Sequence, residues 1–167
     1  MKPASPVVLL LAAWLGAGML LAAVVAPAAF AVLPSRTLAG ALVGRVLPTV
    51  FIAGIVVALV SALLDRPQAG RSHRVRRAAF VVTAISCAVA QFVVAPRIER
   101  VRGEIAGPVE QLAQSDPRRV AFGRLHAISV GWLGLAMISA AAAVVLVSMS
   151  PRQPDSDARD PSLVASR

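Results

Sequence analysis

Four stretches of the chain run for about 19 residues or more without an Asp, Glu, Lys or Arg, and each is built mainly from Ala, Val, Leu and Ile. Lys2 and Arg36, Arg45 and Asp65, Arg77 and Arg97, and Arg124 and Arg152 bracket them. A helix rises about 1.5 Å per residue, so roughly 20 apolar residues cross a hydrocarbon core about 30 Å thick. The pattern predicts an all-α, integral membrane four-helix bundle, with spans near residues 6–33, 38–64, 78–95 and 125–149. At 167 residues and 57% hydrophobic content, one domain over residues 1–149 leaves no room for a soluble second domain.

The 17 basic residues outnumber 8 acidic ones, yet they border the apolar runs and form no patch with interleaved aromatics. That placement excludes nucleic-acid binding and points to topology signals and anionic lipid headgroups. Lys2 is the only lysine, a bias of GC-rich genomes that suggests a bacterial inner membrane. Cys87, the only cysteine, lies within the third run as a small hydrophobe, which excludes an intrachain disulfide and a cysteine metal cluster. The uncharged stretch from Pro3 to Ser35 is far longer than the apolar region of a signal peptide, so an uncleaved first span is expected.

Pro34-Ser35-Arg36-Thr37 closes span 1, and Asp65-Arg66-Pro67 ends span 2. The basic loop that follows carries Arg66, Arg71, Arg74, Arg76 and Arg77, expected to meet anionic headgroups. Pro96 marks a kink or the exit of span 3. Beyond it, Ile98, Val101, Ile105, Val109 and Leu112 recur at three- and four-residue steps between charges, predicting an amphipathic interfacial helix broken at Gly107-Pro108. Asp116-Pro117 is a helix start, with Asp as cap and Pro in the first turn. Residues 150–167, rich in Pro, Ser and Asp, are expected to be a disordered polar tail. Counting bases by loop favours cytoplasmic N- and C-termini, chiefly through the dense loop after span 2.

Helices in lipid associate through small residues that let backbones approach. Ala12-x-x-x-Gly16, Gly40-x-x-x-Gly44 and Ala136-x-x-x-Ala140 supply that spacing, read first as packing within the bundle, with a homo-oligomer left open. The exceptions to apolarity are more informative. Spans 2 and 4 enter from the side that span 3 leaves, so Arg45, Gln91 and His126 fall at a similar depth, as does Pro27. Pro27 and Pro48 each remove a helical hydrogen bond and free the carbonyls of Ala23 and Gly44. With Pro96, these are the expected kinks. Freed carbonyls in a membrane require donors, and an intramembrane arginine requires a wet cavity, a partner or a route to the interface. The residues together predict a polar vestibule at one membrane face, formed by Arg45, Gln91, His126 and Ser129 with Glu99 over it.

Ala26-Pro27-Ala28-Ala29-Phe30, the segment Ala39-Gly40-Ala41-Leu42-Val43-Gly44-Arg45-Val46-Leu47-Pro48, and Phe122-Gly123-Arg124-Leu125-His126-Ala127-Ile128-Ser129 resemble the transmembrane-protein-205-like group, over about residues 6–149. That resemblance implies a four-span domain of unknown function with a proline in span 1 and a Phe-x-x-x-His face on span 4, and it implies no reaction. Leu47 stands where the group suggests an aromatic.

The expected function is non-enzymatic: handling of a solute, a metal or a lipid, or support of a partner, with no cofactor. The alternative is a redox, haem or metal-binding protein. Haem in a bundle usually needs a pair of strong axial ligands. His126 is the one histidine near membrane depth, His73 belongs to the opposite loop, and no Cys-x-x-Cys-His motif occurs, so that alternative needs His126 from two copies. Hydrolysis by Ser129 with His126 lacks a third group, because no span contains a carboxylate.

Overall fold

The computed structural model describes residues 5–65, 70–105 and 107–149. Its four long helices are α1 (Pro6–Val32), α2 (Arg36–Leu64), α3 (Arg71–Gly103) and α4 (Pro117–Ser148), each long and apolar enough to cross a membrane. The chain is thus a multi-pass, all-α membrane protein. The helices form a ring in chain order: α1 packs on α2 and α4, α3 packs on the same two, and α2 and α4 touch little across the diagonal. The 32 residues of α4 reach about 48 Å, beyond the hydrocarbon thickness, so part of this helix extends past it. Lys2, Arg66 and the expected tail over 150–167 lie outside the described residues.

Small side chains set the closeness of the core. Ala136, Ala140 and Ala143 of α4 are buried with Phe80, Cys87 and Ala90 of α3, and Thr83 donates to its own Ala79 carbonyl at 2.9 Å while reaching Ala136 O at 3.5 Å. On the other flank, Trp14 of α1 lies over α2 and its indole N–H donates to the Val50 carbonyl at 2.9 Å. This gives a ring in an apolar core the partner it needs. Gly54 makes the contact possible: a Cβ there would sit 2.7 Å from Cys87 Sγ and 2.7 Å from Trp14 Cζ2. Of the three small-residue pairs, Ala136 and Ala140 pack inside the bundle. Ala12 and Gly16 are exposed on α1, whereas Gly40 and Gly44 face a side chain of α3.

Two helices widen by one residue just before a proline. In α1, residues Leu21–Val25 form a π turn, with the Ala26 N–H donating to Leu21 O. In α3, Ala90–Val94 do the same, with Ala95 N–H donating to Ala90 O. Pro27 and Pro96 follow these turns. A proline ring collides with the carbonyl four residues earlier, and a wide turn displaces that carbonyl. Pro48 instead lies within an uninterrupted α2. Pro96 is therefore not the end of α3. The amphipathic helix is the continuation Ala95–Gly103 of that same rod, while Ile105, Val109 and Leu112 leave the helix, with Gly107 at φ +123° and a short turn at Val109–Gln111.

The connection to α4 is tied at several points. Thr37 donates to Glu110 at 3.1 Å, Arg119 donates to the Leu112 carbonyl at 2.6 Å, and Arg118 donates to the Glu104 carbonyl at 3.2 Å. Asp116 caps α4 by accepting from the Arg118 N–H at 2.8 Å.

Candidate functional site

At the end of the bundle where α2 and α4 begin and α3 finishes, one guanidinium joins three helices. Arg102 occupies the extension of α3, and its side chain lies along α2 beside two glycines, where an added methyl would make ordinary van der Waals contact with it. A Cβ on Gly40 would lie 3.7 Å from Arg102 Nη2, and one on Gly44 3.7 Å from Nη1. Its Cζ is 5.7 Å from the centroid of the Phe122 ring of α4, a cation–π distance. Phe122 in turn stacks on His126, with centroids 6.4 Å apart and planes 7° from parallel. Arg102 Nη1 donates to Glu99 at 3.2 Å, and its side chain remains 31% exposed. The Gly40-x-x-x-Gly44 pair thus faces the Arg102 side chain of α3.

This arrangement separates what is fixed from what can be exchanged. The Phe122 ring lies at a cation–π distance from the guanidinium, and the Gly40–Gly44 face of α2 lies beside it. Glu99, 64% exposed, neutralises it from the same helix. An exposed pair of this kind contributes only about 0.3–0.5 kcal/mol, so an incoming anion can displace the carboxylate.

The structure brings Glu99 to Arg102 and His126 to Phe122. Arg45 is exposed on α2, and among the described residues its side chain has no hydrogen bond or ion pair. Gln91 lies in the wide turn of α3, and its Oε1 is buried with no hydrogen-bond partner among the described residues. Ser129 is buried one turn beyond His126, and no hydrogen bond joins the two. Arg102 is absent from the residues that sequence reasoning places at the site. It reads as one charge of an amphipathic helix, and the extra residue in the wide turn at Ala90–Val94 changes the face on which it emerges.

A second charged cluster occupies the opposite end, where α2 turns into α3. Arg76 grips Asp65 with two bonds, Nε to Oδ2 at 2.9 Å and Nη2 to Oδ1 at 2.8 Å. Their side chains are 2% and 8% exposed. His73 lies within 3.4 Å of the same carboxylate and 3.1 Å from Arg76 Nη2. The bidentate geometry fits a structural clasp that ties the end of α2 to the first turns of α3. Arg76 therefore has little access to headgroups, while Arg71, Arg74 and Arg77 are exposed. The visible signal for the clasp is the acid at the end of span 2, 11 residues before a base that follows the turn.

Outside the helices, two carboxyls are held below their ordinary values. Asp116 is lowered to about 2 by the Arg118 side chain and then the Arg118 backbone N–H. Glu110 is lowered by its own backbone N–H, and by the Thr37 hydroxyl and N–H and the charge of Arg36. Both stay ionised where they hold the connection.

No curated protein and no solved structure matches the chain. A family profile described as "Domain of unknown function (DUF4149)" matches residues 9–106. The match takes in the Asp65–Arg76 clasp and Arg102 with Gly40 and Gly44, and it stops before Phe122 and His126. Since it covers more than half of the chain, the protein belongs to the DUF4149 family.

Proposed function

We propose that this protein is a non-enzymatic membrane protein that handles a small anionic solute, or the anionic group of a larger one, at the end where Arg102 lies. The observation that supports this reading is the partly exposed Arg102 guanidinium, which lies beside Gly40 and Gly44 and at a cation–π distance from Phe122, with Glu99 as an exchangeable counter-charge. Arg45 adds a second cation at that end, and His126 serves as a hydrogen-bonding or proton-linked partner. Gln91 and Ser129 offer polar groups deeper along α3 and α4. In this reading the chain is one of the transmembrane-protein-205-like proteins of the family, resident in a bacterial inner membrane with both termini cytoplasmic. Arg71, Arg74 and Arg77 then face anionic headgroups.

The test is equilibrium binding of inorganic phosphate, sulfate and acetate to the purified protein in neutral detergent at constant ionic strength. Saturable binding by the native chain is expected, weakened at least tenfold in Arg102→Gln and less in Arg45→Gln or His126→Ala. Binding unchanged in Arg102→Gln, or absent for every anion, contradicts the reading. A haem-like absorbance of the purified protein, lost in His126→Ala, would favour the redox alternative instead.

A further inference from the structure

An apolar groove opens on the outer side of the bundle between α2 and α3, toward the end that carries the clasp. Ala58, Leu59 and Ala62 form one wall and Val81, Ala84 and Ile85 the other, around a volume of about 220 Å³. The small side chains of Ala58, Ala62 and Ala84 create the space. Leu59, Val81 and Ile85 are each about half exposed along it.

Above this groove, on the same stripe of α3, stand two cations. Arg77 lies one turn before Val81 and seven residues before Ala84, and Arg74 lies seven residues before Val81. At 3.6 residues per turn, both project over the groove. Both are exposed, and among the described residues neither side chain has a hydrogen bond or ion pair. Their neighbour Arg76 is withheld by Asp65.

We infer that this groove is a site for one anionic phospholipid, with an acyl chain along Val81, Ala84 and Ile85 and its phosphate between Arg74 and Arg77. The inference rests on the reading that this end of the bundle meets anionic headgroups, and it adds a defined place and stoichiometry. Position argues for a lipid over a water-soluble anion, since the groove lies among membrane-spanning residues. Charge argues against a second copy of the chain. A two-fold axis along the membrane normal would bring Arg74 and Arg77 of both copies to one level, where like charges oppose.

Native mass spectrometry of the full-length protein, titrated with phosphatidylglycerol or phosphatidylcholine, tests the site. One phosphatidylglycerol should be retained at least fivefold more tightly than phosphatidylcholine. Arg74→Gln/Arg77→Gln should remove that preference, and Ala84→Phe, which fills the groove, should remove retention of both lipids. Arg71→Gln should change neither. Soluble glycerol phosphate should not compete. Equal loss in Arg71→Gln with no effect of Ala84→Phe would overturn the groove while leaving general headgroup attraction in place. Full retention in the double arginine variant would overturn both. A dimer that Ala84→Phe dissociates would assign the groove to a second copy and also overturn the inference. The thermal unfolding of each variant confirms that a loss is local, and Ala84→Ser, which leaves the groove open, should retain the lipid.

Discussion

Single atoms decide how closely this bundle closes. Gly54 is the position where α1, α2 and α3 meet, and the space for its missing methyl is already occupied by the Trp14 ring and Cys87 sulfur. Gly54→Ala should therefore destabilise the fold by about 1–3 kcal/mol, the usual cost of overpacking a filled core. Thermal unfolding in detergent reads this, and an unchanged midpoint would show that Trp14 can move away. Gly16, where a Cβ would meet nothing within 4 Å, provides the contrast: Gly16→Ala should be neutral within the monomer. The same chemistry, a glycine in a transmembrane helix, has different consequences because only one of the two has neighbours. At Gly40 and Gly44 the neighbour is the Arg102 guanidinium, which an added methyl would meet at an ordinary contact distance of 3.7 Å.

At the scale of elements, the four spans and their all-α character are legible in the sequence because lipid imposes length and apolarity on every residue of a span. What was not legible follows from helix continuity. Pro96 reads as a kink or an exit; the wide turn over Ala90–Val94 accommodates it, and α3 runs on to Gly103. That continuity carries Arg102 up against α2 and α4. Depth along a helix can be counted from sequence, which puts Arg45, Gln91 and His126 at one level; direction around the helix depends on packing and on the extra residue in each wide turn. Hence the Phe122–His126 stack is visible as a four-residue spacing, whereas the position of Arg102 against α2 and α4 is not. The Asp116 cap shows an element boundary that is fully readable, Asp before Pro at the start of α4. Its carboxyl is lowered to about 2, so the stabilisation is complete above the ordinary aspartate range and is lost as pH falls through that value. Hydrogen exchange should find the Arg118 amide still protected at pH values where free aspartate is half protonated, with protection collapsing only near the lowered value. Loss of protection already in the ordinary range would contradict the cap geometry.

For the whole molecule, charge is divided between two ends that differ in burial and pairing. The Asp65–Arg76 clasp is buried, doubly bonded and inward-facing, so it serves the fold; Arg102 is partly exposed and weakly countered, and under the proposed function it is the group that meets an anion. Breaking a buried pair by removing one member costs about 3–5 kcal/mol, because the other charge stays in a low-dielectric site. Removing a partly exposed charge should cost the fold little. The direct test is thermal unfolding of Arg76→Leu and Arg102→Leu beside the native chain, each with and without saturating inorganic phosphate. Arg76→Leu should unfold at a clearly lower temperature yet keep the stabilisation by phosphate, and Arg102→Leu should unfold near the native temperature and lose it. The reverse pattern, or a phosphate effect that survives in Arg102→Leu, would contradict the division of roles on which the proposed function depends.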